Sequence, residues 1–311
     1  SLVMFKIIVI LFISILFLSC SANKSVSYFD QKPPSTIPKL FAPSIVNTDS
    51  IELNVVFNHS HTELFFSRIV NNSFVIHHSE RIEGKWSPIK PIKMYPDDVL
   101  VSVACDPTIT KDGNTMYFLG VDPNLYNNDI TKEALYRIPP DIYSSKKVNG
   151  KWQLAQKVDF TVSTEFFETY PVVTADGSLY FRSNRPSEKE GLNTFRAQYI
   201  GNNKFEAPKM IPPVTENGEL IVYVSPDESY AVTNAKGRFQ ITFNENDKWS
   251  KPKEIPLEYE EDWKYYCPYM SSDGKYFMYS RRKSYPQKKG WAGVEKGEVF
   301  WISAKKLFDL K

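Results

Sequence analysis

Short apolar runs, rich in aromatics and each set just after a polar turn, punctuate the chain. They read MYF at 116–118, LYF at 179–181 and YFMY at 276–279, inside the phrases ITKDGNTMYFLG, VTADGSLYFRSN and YMSSDGKYFMYS. FNHSHTELFFS and VSPDESYAVTNA are two further copies of the same turn-then-strand phrase. Runs this short and continuously apolar predict strands buried on both faces, each packed between two other sheets. Asp112-Gly113, Asp176-Gly177 and Asp273-Gly274 supply the positive dihedrals of a hairpin apex. Ser60-His61 and Asp227-Glu228 stand in the other two copies, where a tight turn is less well provided for.

A second pattern follows four of the hairpins: GKWSPIKPI from Gly84, GKWQLAQKV from Gly150, NKFEAPKMI from Asn203 and DKWSKPKEI from Asp247. A polar turn, an aromatic and then a strand that often carries proline describe an edge strand, because proline lacks the amide donor an interior strand needs. The fifth hairpin has no such sequel. LFAPSIV at 40–46 repeats the order of FEAPKMI, so the N-terminal strand is predicted to complete the C-terminal sheet. The first turn residues, Ser60, Asp112, Asp176, Asp227 and Asp273, stand about 46 to 64 residues apart, the spacing of propeller blades. The expectation is an all-β protein, a β-propeller of five blades closed by its N-terminal strand, which leaves no open sheet edge. A sixth blade built from the long 112–176 interval is the alternative.

Val224-Ser225-Pro226-Asp227 and Ser272-Asp273-Gly274-Lys275-Tyr276-Phe277 carry the start and centre of a phrase F-S-P-D-G-K-x-L-Y-F. On these residues the chain resembles the TolB-type, or WD40-like, β-propeller repeat of bacterial exported proteins. The resemblance covers residues 38–311 and implies a fold and a binding platform, since such propellers share no single activity.

Residues 7–18 are apolar apart from Ser14 and follow Lys6, and the run is too short to cross a bilayer comfortably. It ends in Leu18-Ser19-Cys20, which resembles a bacterial lipobox. Residues 1–20 are therefore read as a lipoprotein signal peptide with Cys20 as the lipidated residue. Residues 21–37, with Pro33-Pro34, are read as a flexible tether, and 38–311 as one propeller domain. This implies a bacterial cell-envelope protein, lipid-anchored, at the outer membrane and facing the periplasm. With 38 basic and 36 acidic residues the net charge is +2, so no electrostatic drive toward nucleic acid exists.

Candidate chemistry is sparse. His59 and His61 are read as surface-turn residues, while His77 and His78 fall on opposite faces of a strand, so no metal site or cofactor is expected. Cys105 and Cys267 are read as buried thiols. Eight residues before the turn stand Glu52, Glu168 and Glu219, with Asp106 and Asp262 near that level in the other copies. Beyond the turn, Arg68, Arg185 and Arg282 return to the same level on the antiparallel strand. These eight residues form the candidate ligand site at the channel mouth, with ion pairs that stitch neighbouring blades together as the competing role. Tyr170, Tyr223, Trp263 and Tyr265 are candidate stacking platforms for a sugar or, equally, packing residues. Two functions follow: a binding or scaffold module for a glycan, peptide or envelope protein, or a carbohydrate-active hydrolase using a carboxylate pair such as Glu168 and Glu219.

Overall fold

The computed structural model describes residues 28–71, 73–99, 102–126, 138–212, 220–246, 248–284 and 294–311. Among the described residues the strands form five antiparallel units. The inner, second and third strands are Ile51–Phe57, Glu63–Val70 and Ser73–Ile82 in unit one, and Ala104–Ile109, Thr115–Gly120 and Asp141–Val148 in unit two. They are Glu168–Val173, Leu179–Ser183 and Asn193–Ala197 in unit three. Unit four has Leu220–Val224, Tyr230–Ala235 and Arg238–Glu245, and unit five Trp263–Met270, Tyr276–Ser284 and Val294–Ser303. Each inner strand touches the inner strands of the units before and after it, the fifth touching the first, so the units close a ring. The fold is a β-propeller.

The aromatic runs do what their continuity requires. Met116 and Phe118 pack with Phe65 and Ile76 of unit one, while Tyr117 between them packs with Phe181 and Phe195 of unit three. Phe277 and Tyr279 meet Phe239 and Ile241 of unit four, and Met278 faces Phe57 and Phe66 of unit one. Successive side chains of a strand leave on opposite faces, so each run feeds two cores, one per neighbour.

The outer strands are shorter than the sequence suggests. Each is broken into two pieces: Lys85–Trp86 and Lys90–Pro91, Lys151–Trp152 and Gln156–Lys157, Lys204–Phe205 and Lys209–Ile211, Lys248–Trp249 and Lys253–Glu254. In three units a hydroxyl on the third strand catches a carbonyl freed at the break: Ser79 to Ser87 at 2.7 Å, Ser145 to Gln153 at 2.6 Å and Thr242 to Ser250 at 2.6 Å. A buried carbonyl left without a donor would be costly.

Closure is made as predicted in place but differently in form. Lys39–Leu40 pairs antiparallel with the last long strand, Lys39 opposite Trp301 and Leu40 opposite Phe300. Residues 41–46 do not continue it; they turn, with Ala42 and Ser44 at positive φ. Asn47 then stitches the turn back, its side chain donating to the Val299 carbonyl at 3.0 Å and accepting from the Val299 amide at 2.8 Å. Gly297 pairs in parallel with Ile51, joining unit five to unit one. A Cβ there would lie 2.6 Å from Ile51 Cγ2 and 3.0 Å from the Glu52 carbonyl, so only glycine permits this approach.

The tether is shorter than the sequence suggests. Tyr28 is buried against Phe57, Tyr276 and Trp301, and Gln31 donates to the Leu40 carbonyl at 2.7 Å and accepts from the Ala42 amide at 2.9 Å. Residues 28–37 therefore belong to the packed domain, because an aromatic inside a polar segment finds a core. Residues 1–27, with Cys20, lie outside the described residues.

The hairpin turns share one device. Thr110, Thr174, Ser225 and Ser271 donate their hydroxyls to Asp112, Asp176, Asp227 and Asp273 at 2.6–2.7 Å. The same carboxylates accept the amide two residues further on, at 2.9–3.1 Å. The Thr110 hydroxyl bond leads in holding Asp112 below its ordinary pKa; in the other three, burial pushes up but the hydrogen bonds outweigh it. Where glycine is absent, Glu228 (φ 59°) and His61 (φ 53°) accept the left-handed geometry. Both are gripped by a neighbour. Glu228 takes Arg196 at 3.0 and 2.8 Å and Tyr180 at 2.6 Å, while His61, buried rather than at the surface, bonds Ser272 at 3.0 Å. These contacts offset backbone strain on the order of 1–3 kcal/mol.

Candidate functional site

All five inner strands break their ladders with a bulge, between Leu53 and Val56, Cys105 and Thr108, Thr169 and Val172, Ile221 and Tyr223, and Tyr266 and Tyr269. In four of them the bulge residue has positive φ: Asn54 (38°), Asp106 (54°), Tyr170 (53°) and Cys267 (49°). Three of these precede a proline, Pro107, Pro171 and Pro268, whose ring restricts the preceding backbone. The bulges re-aim these side chains and pinch the channel at one level. Asp106, Tyr170, Val222 and Cys267 line cavities on both sides of that waist: 300 Å³ toward the hairpins, and 1490 Å³ toward the end where the inner strands begin.

At the waist the Asn54 amide and the Cys267 thiol both donate to Asp106 Oδ1, the thiol at 3.5 Å. Burial pushes the Asp106 carboxyl up to about 6, against the opposing pull of those two hydrogen bonds and the Arg182 charge. Burial, reinforced by the Asp106 charge, raises the Cys105 and Cys267 thiols well above their ordinary value, so neither is a poised thiolate. Arg182, one strand away, lies over the Tyr170 ring at 4.7 Å and donates to the Ile221 carbonyl from Nε at 3.1 Å and to Leu220 from Nη2 at 3.3 Å. Its Nη1 has no hydrogen-bond partner among the described residues, and the side chain lines the larger cavity.

Aromatic and charged groups share the larger cavity. Phe74, Phe167, Tyr170, Trp263, Tyr265 and Tyr266 line it, with Arg182, Lys236, Arg238, Lys264 and Arg282 against Asp106, Glu254 and Glu261. Arg238 and Glu254 neutralise each other at 2.9 Å.

The sequence candidates divide. Asp106 and Arg282 line this cavity, as do Tyr170, Trp263 and Tyr265; Tyr223 lines the smaller one. Glu52 and Glu168 do not. Glu52 is buried in its own unit and accepts from Arg68 Nε at 2.9 Å and Thr48 at 2.6 Å, while Arg68 also donates to the carbonyls of Ile45 and Val46. Glu168 likewise takes the Thr164 amide and hydroxyl, Ser183 and Arg185 at 2.7–3.0 Å, and Arg185 holds the carbonyls of Thr161 and Val162. Each pair fastens the loop that enters its inner strand. The expected convergence of Glu52, Glu168, Arg68 and Arg185 on the channel is corrected accordingly, and the stitching is within units, not between them. Asp262 is exposed and outside the cavity lining, and Glu219 lies outside the described residues. His77 and His78 do face opposite ways, stacked on Phe66 and Phe65.

Sequence reasoning missed Arg182, Asn54 and the waist itself. The repeated X-Pro at Asp106-Pro107, Tyr170-Pro171 and Cys267-Pro268, always six and five residues before the turn, was the signal for the waist.

No family model matches the chain, and no curated protein matches its sequence. Solved structures do match in outline. TolB from Acinetobacter baumannii is 10% identical with a TM-score of 0.46, over 82% of this chain and 57% of that one. The catalytic domain of an α-L-arabinofuranosidase from Coprinopsis cinerea is 9% identical with a TM-score of 0.47, over 87% of this chain and 94% of that one. A protein of unknown function from Dyadobacter fermentans is 11% identical with a TM-score of 0.45, over 86% and 98%. The chain thus spans little more than half the length of the TolB it matches.

Proposed function

We propose that the protein is a binding module of the bacterial cell envelope that holds a polar ligand, a glycan or a segment of peptide or envelope protein, in the wide mouth of its channel. The 1490 Å³ cavity supports this reading, since aromatic walls and convergent charged groups in one open concavity are what recognition of a polar ligand needs. The hydrolase alternative asks for two carboxylates about 5 to 9 Å apart across one pocket. Glu168, one of the pair expected from the sequence, is enclosed within its unit, which counts against hydrolysis by that pair and favours binding. The lipid on Cys20 would tether the domain at the outer membrane. The short apolar run ending in Leu18-Ser19-Cys20 supports it, and the lack of an acidic cluster in Ser21-Ala22-Asn23 favours the periplasmic face.

Thr169 lines the mouth from an inner strand. Thr169→Trp adds bulk there without altering charge. With the melting temperature unchanged, it should abolish capture of whichever ligand a glycan and peptide screen of the full chain returns; capture that persists would place the ligand elsewhere. For the anchor, Cys20→Ala should move the protein from the membrane to the soluble fraction, and unchanged fractionation would refute it.

A further inference from the structure

We propose that the ligand of this mouth is an acidic glycan, with a sugar carboxylate seated on Arg182 at the channel floor. This rests on the binding reading above and narrows it.

With Arg238 and Glu254 neutralising each other and Arg282 lying over the Tyr266 ring at 5.5 Å, three further cations among the described lining residues, Arg182, Lys236 and Lys264, oppose two acids, Asp106 and Glu261. A concave site with this surplus concentrates anions. Arg182 is positioned to receive one. Two backbone carbonyls and the Tyr170 face fix its guanidinium plane, and Nη1 is left to the cavity. A guanidinium whose plane is fixed in advance suits a planar carboxylate, and little entropy is lost on contact.

A sugar is favoured over an acidic peptide by the walls. Peptides in a β-channel gain affinity by adding a strand to a free edge, but every inner strand here is interrupted by a bulge, which twists such an edge away. Phe167, exposed at the mouth, and Trp263, one face of which Arg281 covers at 4.0 Å, instead line it with apolar ring surface, the kind on which pyranose rings stack.

The full chain should be screened against an array of hexuronate-ended and nonulosonate-ended oligosaccharides, their neutral methyl esters, amino sugars and acidic peptides. The expected result is capture confined to the carboxylated sugars and lost on esterification. Lys236 and Lys264 are exposed and make no ion pair among the described residues, so Lys236→Glu with Lys264→Glu leaves the fold intact and should weaken capture at least tenfold. Arg182→Met should do the same, but Arg182 also packs, so the rim pair decides if that variant melts early. Capture of neutral sugars, amino sugars or acidic peptides, or indifference to the rim reversal, would overturn the inference while leaving the binding reading in place. Capture of nothing on the array would overturn both.

Discussion

Asp106→Asn is expected to stabilise the protein at neutral pH and to do little at pH 4. Asn54 and Cys267 donate to the same oxygen, Oδ1, so an amide oxygen in its place keeps both bonds. Asparagine also tolerates the left-handed backbone at φ 54°. Only the charge is removed. The folded-state pKa is raised, from 3.8 to about 6, so the folded form keeps its proton where the unfolded form has lost it. The stability this provides is complete below pH 4 and is lost as pH rises through about 6. A rise of this size corresponds to about 3 kcal/mol at full effect, and water in the channel trims that to about 2 kcal/mol. Urea unfolding of both proteins from pH 4 to 8 gives the difference curve directly. It should climb from near zero to about 2 kcal/mol in favour of the variant, with most of the change between pH 4 and 6.5. A flat curve would show that the channel solvates Asp106 as bulk water does, and a variant weaker at every pH would show that the two bonds require the carboxylate.

Three further outcomes follow from the fold. Asn47→Ala takes from the Val299 amide its acceptor and leaves the Val299 carbonyl to the Phe41 amide alone; it should cost about 1–3 kcal/mol, read as a lowered urea midpoint with ring closure weakened. Gly297→Ala forces Ile51 aside from a 2.6 Å clash and should cost about 1–3 kcal/mol; an unchanged midpoint would mean the junction of units five and one is slack. Glu168→Gln leaves Arg185 buried without its counter-charge and should cost about 3 kcal/mol while ligand capture by the folded fraction stays the same; lost capture at an unchanged midpoint would return Glu168 to the site.

The blade phrase was legible because period-two alternation between two cores leaves a continuous apolar run, as at Met116, Tyr117 and Phe118. The level of the acids and bases was legible too: Glu52 does stand directly opposite Arg68. Their direction was not. Counting eight residues back from the turn crosses the bulge, and one extra residue exchanges the faces of a strand. The side chains that reach the channel in units one and three are therefore the next ones along, Leu53 and Thr169. Tyr28 was hidden for a different reason. A lone aromatic in a polar segment carries no periodicity, and only the tertiary gap between Phe57 and Trp301 gives it a place.

The seam at Asn47 and Val299 joins residues 252 positions apart, which sets an order of events in synthesis. The segment that closes the ring is made well before the strand it pairs with, Val294–Ser303, and has to wait for it. Until then Phe41, Val46 and Tyr28, all buried in the finished ring, have no core to enter. Contacts this distant in sequence slow folding, and chaperones that hold exposed apolar segments should bind the N-terminal stretch for as long as the fifth unit is missing.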